Sequence, residues 1–172
     1  MEAQLAMITI ATAIFTAYVA VAIKLFGIPE SLSNTYYLYQ RLEDSLKRLF
    51  PAMMSTMVVL MLPSWLDIAE NSNYQFLAFI ACSGILFVGF APAFKDYETE
   101  KRVHTISAII AAVASLAWIC LATPFWWFIP LVSVAVIYLA FKTKTLGKCL
   151  VFWLEMIAFY STFIAIITYY LC

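Results

Sequence analysis

Apolar residues fill this chain in long unbroken stretches, without the alternation of a half-buried strand or the one-sided rhythm of a surface helix. Such stretches cover residues 3–26, 51–68, 74–94 and 149–172, and a longer one covers residues 105–141. A helix needs about 20 mostly apolar residues to cross roughly 30 Å of hydrocarbon, so each of the first four predicts one span. As one helix the fifth would be about 55 Å long, more than any bilayer requires. Thr123-Pro124 lies near its middle, and the residue before a proline is pushed out of the helical region. That stretch therefore divides into spans over residues 105–123 and 125–141. The expectation is an all-α integral membrane protein, a bundle of six transmembrane helices forming a single domain over residues 1–172.

The one long connection, residues 27–50, opens with turn-forming residues through Asn34. From Thr35 onward Leu38, Leu42, Leu46 and Leu49 recur at helical spacing, with Gln40, Arg41, Asp44, Lys47 and Arg48 opposite them. This pattern predicts an amphipathic helix over about residues 35–50, lying in the cytoplasmic interface with leucines in lipid and cations toward headgroups. A plain helical lead-in to the second span is the alternative.

Charge tests the count of spans. Cytoplasmic loops collect Lys and Arg, and with six spans all ten basic residues fall on one face. Lys24, Arg41, Lys47 and Arg48 belong to the first connection, Lys95, Lys101 and Arg102 to the third, and Lys142, Lys144 and Lys148 to the fifth. Both termini are then expected on the non-cytoplasmic side. The first span carries Ala20-Val21-Ala22, which looks like a signal-peptide cleavage site, but it lacks the positive n-region and is expected to be retained. Trp65, Trp126, Trp127, Tyr169 and Tyr170 suit an outer aromatic belt.

Composition agrees, since 65% of the residues are hydrophobic and 12% charged, against roughly 45–50% and about 25% in a soluble domain. Ten basic residues balance ten acidic ones, so no net field recruits nucleic acid. Cys82, Cys120, Cys149 and Cys172 form no CxxC pair and His104 is the only imidazole, so no zinc site, disulfide framework or cofactor is expected.

Glu155 is the most informative polar position, because an acid inside a span costs about 2.5–3.5 kcal/mol even on a lenient insertion scale. Ala158, Thr162, Ala165 and Tyr169 share its helix face, a small and polar stripe suited to the bundle interior. On the first span Thr9, Thr12, Thr16, Ala20 and Lys24 form a comparable face, which allows a Lys24–Glu155 pair if the two helices are neighbours. Glu155, Thr162, Tyr169, Lys24 and Thr16 are thus the expected solute or ion path; helix glue is the rival role. Asp67 and Glu70, three residues apart, are a candidate outer cation site or a solvated helix end. At the cytoplasmic mouth, Asp96 and His104 are candidates for proton handling, while Glu98–Arg102 and Glu100–His104 are spaced for i,i+4 pairing. Ser107, Ala111 and Ser115 read as a close-packing face.

The leading expectation is passage of a small solute or ion across the bilayer, with an intramembrane carboxylate in the path. The alternative is a non-catalytic accessory or assembly subunit. A membrane enzyme acting on lipid, built from Ser31, Ser33, Asp96 and His104, comes third. Lipid and the solute are the expected partners, and a homo-oligomer stays open.

Overall fold

The computed structural model describes residues 2–172. Among them lie seven α-helices and no strand. They are α1 (Glu2–Phe26), α2 (Thr35–Leu42), α3 (Leu49–Ile68), α4 (Gln75–Phe90), α5 (Glu98–Ala122), α6 (Phe128–Lys142) and α7 (Leu150–Leu171), with a 3₁₀ turn over Asp44–Arg48 before α3. Four apolar helical stretches, α1, Asp44–Ile68, α5 and α7, are long and apolar enough to cross a membrane.

Local chemistry explains most boundaries. Gly27 ends α1 with φ 74°, and its N–H donates to the Ile23 carbonyl at 2.9 Å, the left-handed stop that glycine adopts without strain. Pro51 falls in the first turn of α3, where no N–H is needed. Thr123 is extended (φ −132°, ψ 155°), so the long apolar stretch divides at Thr123-Pro124 as its sequence predicts. Pro92 cuts α4 at Phe90, four residues short of the expected boundary. At about 1.5 Å per residue, the 16 residues of α4 and the 15 of α6 measure roughly 24 and 22 Å.

The expected helix over 35–50 is instead two short pieces. Glu43 is extended (φ −159°, ψ 135°) and separates α2 from the 3₁₀ turn. Asp44 accepts from Lys47 at 2.7 Å and from Gln40 at 3.1 Å, local bonds that compete with a continuous helix. The Lys47 ammonium, then Gln40, holds the Asp44 carboxyl below the usual carboxylate range. The break rotates the leucines out of register: Leu42 and Leu49 are exposed, whereas Leu38 and Leu46 are half-buried. Tyr39 does the anchoring, with ring centroids 5.7 Å from Tyr18 and 5.4 Å from Phe26 of α1.

The core runs down the middle of the bundle from Ile8 and Phe15 through Met57, Met61 and Trp118 to Phe163. Large apolar side chains such as Val59, Phe79, Phe87, Val113 and Val134 point outward and are exposed. In water these continuous faces would drive association, whereas in lipid they face their own solvent. Trp65 departs from the expected belt. It is 1% exposed and packs on Trp118 with centroids 5.9 Å apart, whereas Trp126 and Trp127 are exposed.

Helix packing fixes two ends of the bundle. Ser64 donates to the Gln4 carbonyl at 3.3 Å and Tyr170 to the Asp67 carboxylate at 2.8 Å, which places the start of α1 and the ends of α3 and α7 together. Contacts among residues 28–37, 95–96 and 149–155 gather the opposite end, where all ten basic residues lie in the connections or in the short helix and helix ends beside them. Between α4 and α5 the backbones meet closely. A Cβ on Gly84 would lie 2.8 Å from the Ser107 carbonyl and 2.9 Å from the Ala111 Cβ, so the Ser107–Ala111 face is a close-packing surface.

Candidate functional site

Glu155 lies in the second turn of α7, and the segment between α1 and α2 folds back against it. The Leu32 N–H donates to Glu155 Oε2 at 2.6 Å. Two further bonds seat the same segment. The Phe152 N–H, an orphan donor in the first turn of α7, finds the Glu30 carbonyl at 3.1 Å, and the Cys149 thiol lies 3.4 Å from the Ile28 carbonyl. Leu32, Ser33, Asn34 and Thr35 are all buried. A short hydrogen bond from the backbone thus satisfies one oxygen of this acid.

The other flank of Glu155 borders a cleft in the bundle, of about 500 Å³ counting its open mouth. Met54, Met61 and Trp65 of α3 form one side, and Ala108, Ala111 and Ser115 of α5 another. From α7 come Glu155, Ala158 and Thr162, so two of the expected path residues share this space. The Thr162 hydroxyl donates to the Ala158 carbonyl at 2.8 Å and the Ser115 hydroxyl to Ala112 at 3.0 Å, which leaves the carboxylate as the dominant polar feature. Trp65 Nε1 and Trp118 Nε1 are buried without a hydrogen-bond partner toward the far end.

The remaining path candidates lie elsewhere. Tyr169 is exposed, and its neighbour Tyr170 turns inward to Asp67. Thr16 is exposed and pairs with the Tyr160 hydroxyl at 3.1 Å, while Lys24 is exposed and forms no ion pair among the described residues. The threonine face of α1 lies at the edge of the bundle, with Thr9 and Thr16 exposed and Thr12 half-buried, because the larger apolar residues Ile8, Phe15 and Val19 take the core side. Asp67 is held by Tyr170, and Glu70 is exposed without a side-chain contact to it.

At the basic end a second polar cluster joins the α1–α2 and α4–α5 connections. Lys95 Nζ donates to Asn34 Oδ1 at 2.7 Å and to Glu30 Oε2 at 3.2 Å, and lies 5.7 Å from the Tyr37 ring centroid. The Tyr37 hydroxyl accepts the Lys95 N–H at 2.8 Å and donates to Asp96 Oδ2 at 3.3 Å. Burial pushes the Tyr37 phenol above its ordinary value, so it keeps the proton it donates. Asp96 is therefore part of a latch between connections. His104 shares no hydrogen bond with it among the described residues: it is buried and stacked at 4.5 Å on Phe94, whose ring also packs against Tyr37, with Nδ1 3.0 Å from the Ala91 carbonyl at the end of α4. Glu100 instead accepts the Ala93 N–H at 3.1 Å, so the Glu100–His104 pair does not form, whereas Glu98 and Arg102 do pair at 3.6 Å.

Ser31 and Ser33 bond each other at 3.0 Å, and Ser31 also caps the Asn34 N–H at 3.1 Å. No hydrogen bond connects either serine with Asp96 or His104 among the described residues. Leu32 and Lys95 are the residues that sequence reasoning did not single out. The turn residues around Pro29 mark a loop, but nothing local to either stretch says that it reaches residue 155.

No family model matches the chain, and neither the curated proteins nor the solved structures contain a match.

Proposed function

We propose that this is an integral membrane protein of six spans, with both termini non-cytoplasmic, that moves a small solute or ion across the bilayer using Glu155 as the ionisable group of the path. The observation that carries this reading is the placement of Glu155. One carboxylate oxygen holds the partly buried 28–34 segment, while the other has no hydrogen-bond partner among the described residues and the side chain borders the cleft. A group that borders the cleft and also holds the segment at one end of the bundle can bind a solute on one oxygen while keeping that segment seated with the other.

Chain direction supports the count of spans. The ends of α3, α5 and α7 lie at one end of the bundle, as the Trp65–Trp118 and Tyr170–Asp67 contacts require. If those helices cross in the same direction, α4 and α6 must return the chain each time, short as they are. Local bilayer thinning accommodates such lengths at modest cost. The interfacial role of residues 35–50 then falls to two short pieces with Arg41, Lys47 and Arg48 at the headgroups.

The test is flux in liposomes, comparing wild type with Glu155→Gln under proton, sodium and potassium gradients read by pH- or ion-sensitive dyes. The expected result is flux abolished in Glu155→Gln with the fold intact. Equal flux in both proteins, or none in either under any gradient, favours the accessory-subunit role.

A further inference from the structure

The cleft beside Glu155 has a composition that selects among cargoes. Its oxygen-bearing side chains are Glu155, Ser115 and Thr162, and both hydroxyls already donate to backbone carbonyls. A divalent cation demands about six oxygen ligands, which this lining cannot assemble. An anion would meet a carboxylate and no cation, since no Lys or Arg borders the cleft. A purely apolar occupant would cover Glu155 Oε1, which accepts no hydrogen bond from the described residues, without giving it a donor. The small residues Ala108, Ala111, Ala112 and Ala158 leave an apolar channel from Glu155 toward Met61 and Trp65.

We infer that the cleft binds a primary aliphatic amine, its nitrogen hydrogen-bonded to Glu155 Oε1 and its alkyl chain laid along the alanines of α5 and α7. The inference deepens the transport reading and rests on the same site. The nitrogen supplies the donor that Oε1 lacks, and the bond from Leu32 to Oε2 stays in place. Each methylene laid against the alanines buries apolar surface, which favours the bound state.

The experiment uses the full chain in nanodiscs of zwitterionic lipid and equilibrium binding of radiolabelled octylamine, with empty nanodiscs as the background. Unlabelled octylamine, octanol and octyl sulfate serve as competitors. The expected result is saturable binding displaced by octylamine and not by octanol or octyl sulfate, weakened about tenfold or more in Glu155→Gln. Ala112→Phe, which fills the channel and leaves Glu155 and Leu32 untouched, should also remove binding while circular dichroism and Tm stay near wild type. Equal displacement by octanol, or full binding in Glu155→Gln, would overturn the amine assignment in favour of an ordinary lipid chain. Absence of saturable binding overturns it as well, and Glu155-dependent ion flux in liposomes would then keep the transport reading alive. Amine binding without flux of amine or ion supports the site and removes the transport reading.

Discussion

A carboxylate among methionines and alanines needs a donor, and the only charged side chain that sequence could offer Glu155 was Lys24. The structure gives it a backbone N–H instead, from Leu32, in a segment whose own orphan groups are satisfied by α7 in return. The acid's unusual position was legible because any ionisable residue inside an apolar stretch stands out. Its partner was not, because a backbone donor carries no residue-type signature and lies 123 positions away. The exchange makes a graded prediction. Glu155→Gln keeps an acceptor oxygen for Leu32 and should change stability little, by about 1 kcal/mol or less. Glu155→Leu orphans the buried Leu32 N–H and should cost about 1–3 kcal/mol. Hydrogen exchange at the Leu32 amide separates the two, remaining slow in the glutamine variant and becoming fast in the leucine variant.

Among the elements, apolar stretches and prolines located the helices, and the break at Thr123-Pro124 follows from a local steric rule that any sequence displays. The break at Glu43 does not. Leu38, Leu42, Leu46 and Leu49 promise one stripe, but the competition of Asp44 with the helix and the docking of Tyr39 on α1 decide otherwise, and both depend on what lies alongside. Two element-level predictions follow from packing and capping. Gly84→Val puts side-chain atoms where the α5 backbone already stands, so α4 and α5 must separate, with an expected loss of about 1–3 kcal/mol measured by thermal unfolding in detergent. Lys144, at φ 56°, closes α6 with the Thr145 N–H on Ala140 at 3.1 Å and its own N–H on Phe141 at 3.0 Å. That is a glycine's position held by a lysine, so Lys144→Gly should stabilise the protein by about 1 kcal/mol. A lower Tm in that variant would show that the lysine side chain contributes more than its backbone conformation costs.

At the scale of the molecule, the gathering of all ten basic residues at one end is where sequence and structure speak to the same question. Sequence alone reached it through a six-span assumption, and the bundle reaches it through contacts, since Glu30 and Asn34 touch Lys95 while Ile28 and Glu30 touch Cys149 and Phe152. These contacts join the first, third and fifth connections without reference to any membrane. A bilayer placed across such a bundle would hold that end in the cytoplasm, because translocating Lys and Arg is unfavourable. The expected outcome is specific for single cysteines placed in a protein cleared of its native thiols. Positions 41, 98 and 144 should be shielded from a membrane-impermeant maleimide in intact cells and become reactive on permeabilisation, whereas positions 71 and 124 should react at once. Position 144 decides most, because it reports on α6, the shorter of the two short apolar helices. If α6 lies on the surface instead of crossing, the chain turns over before α7, and position 144 labels from outside together with 124.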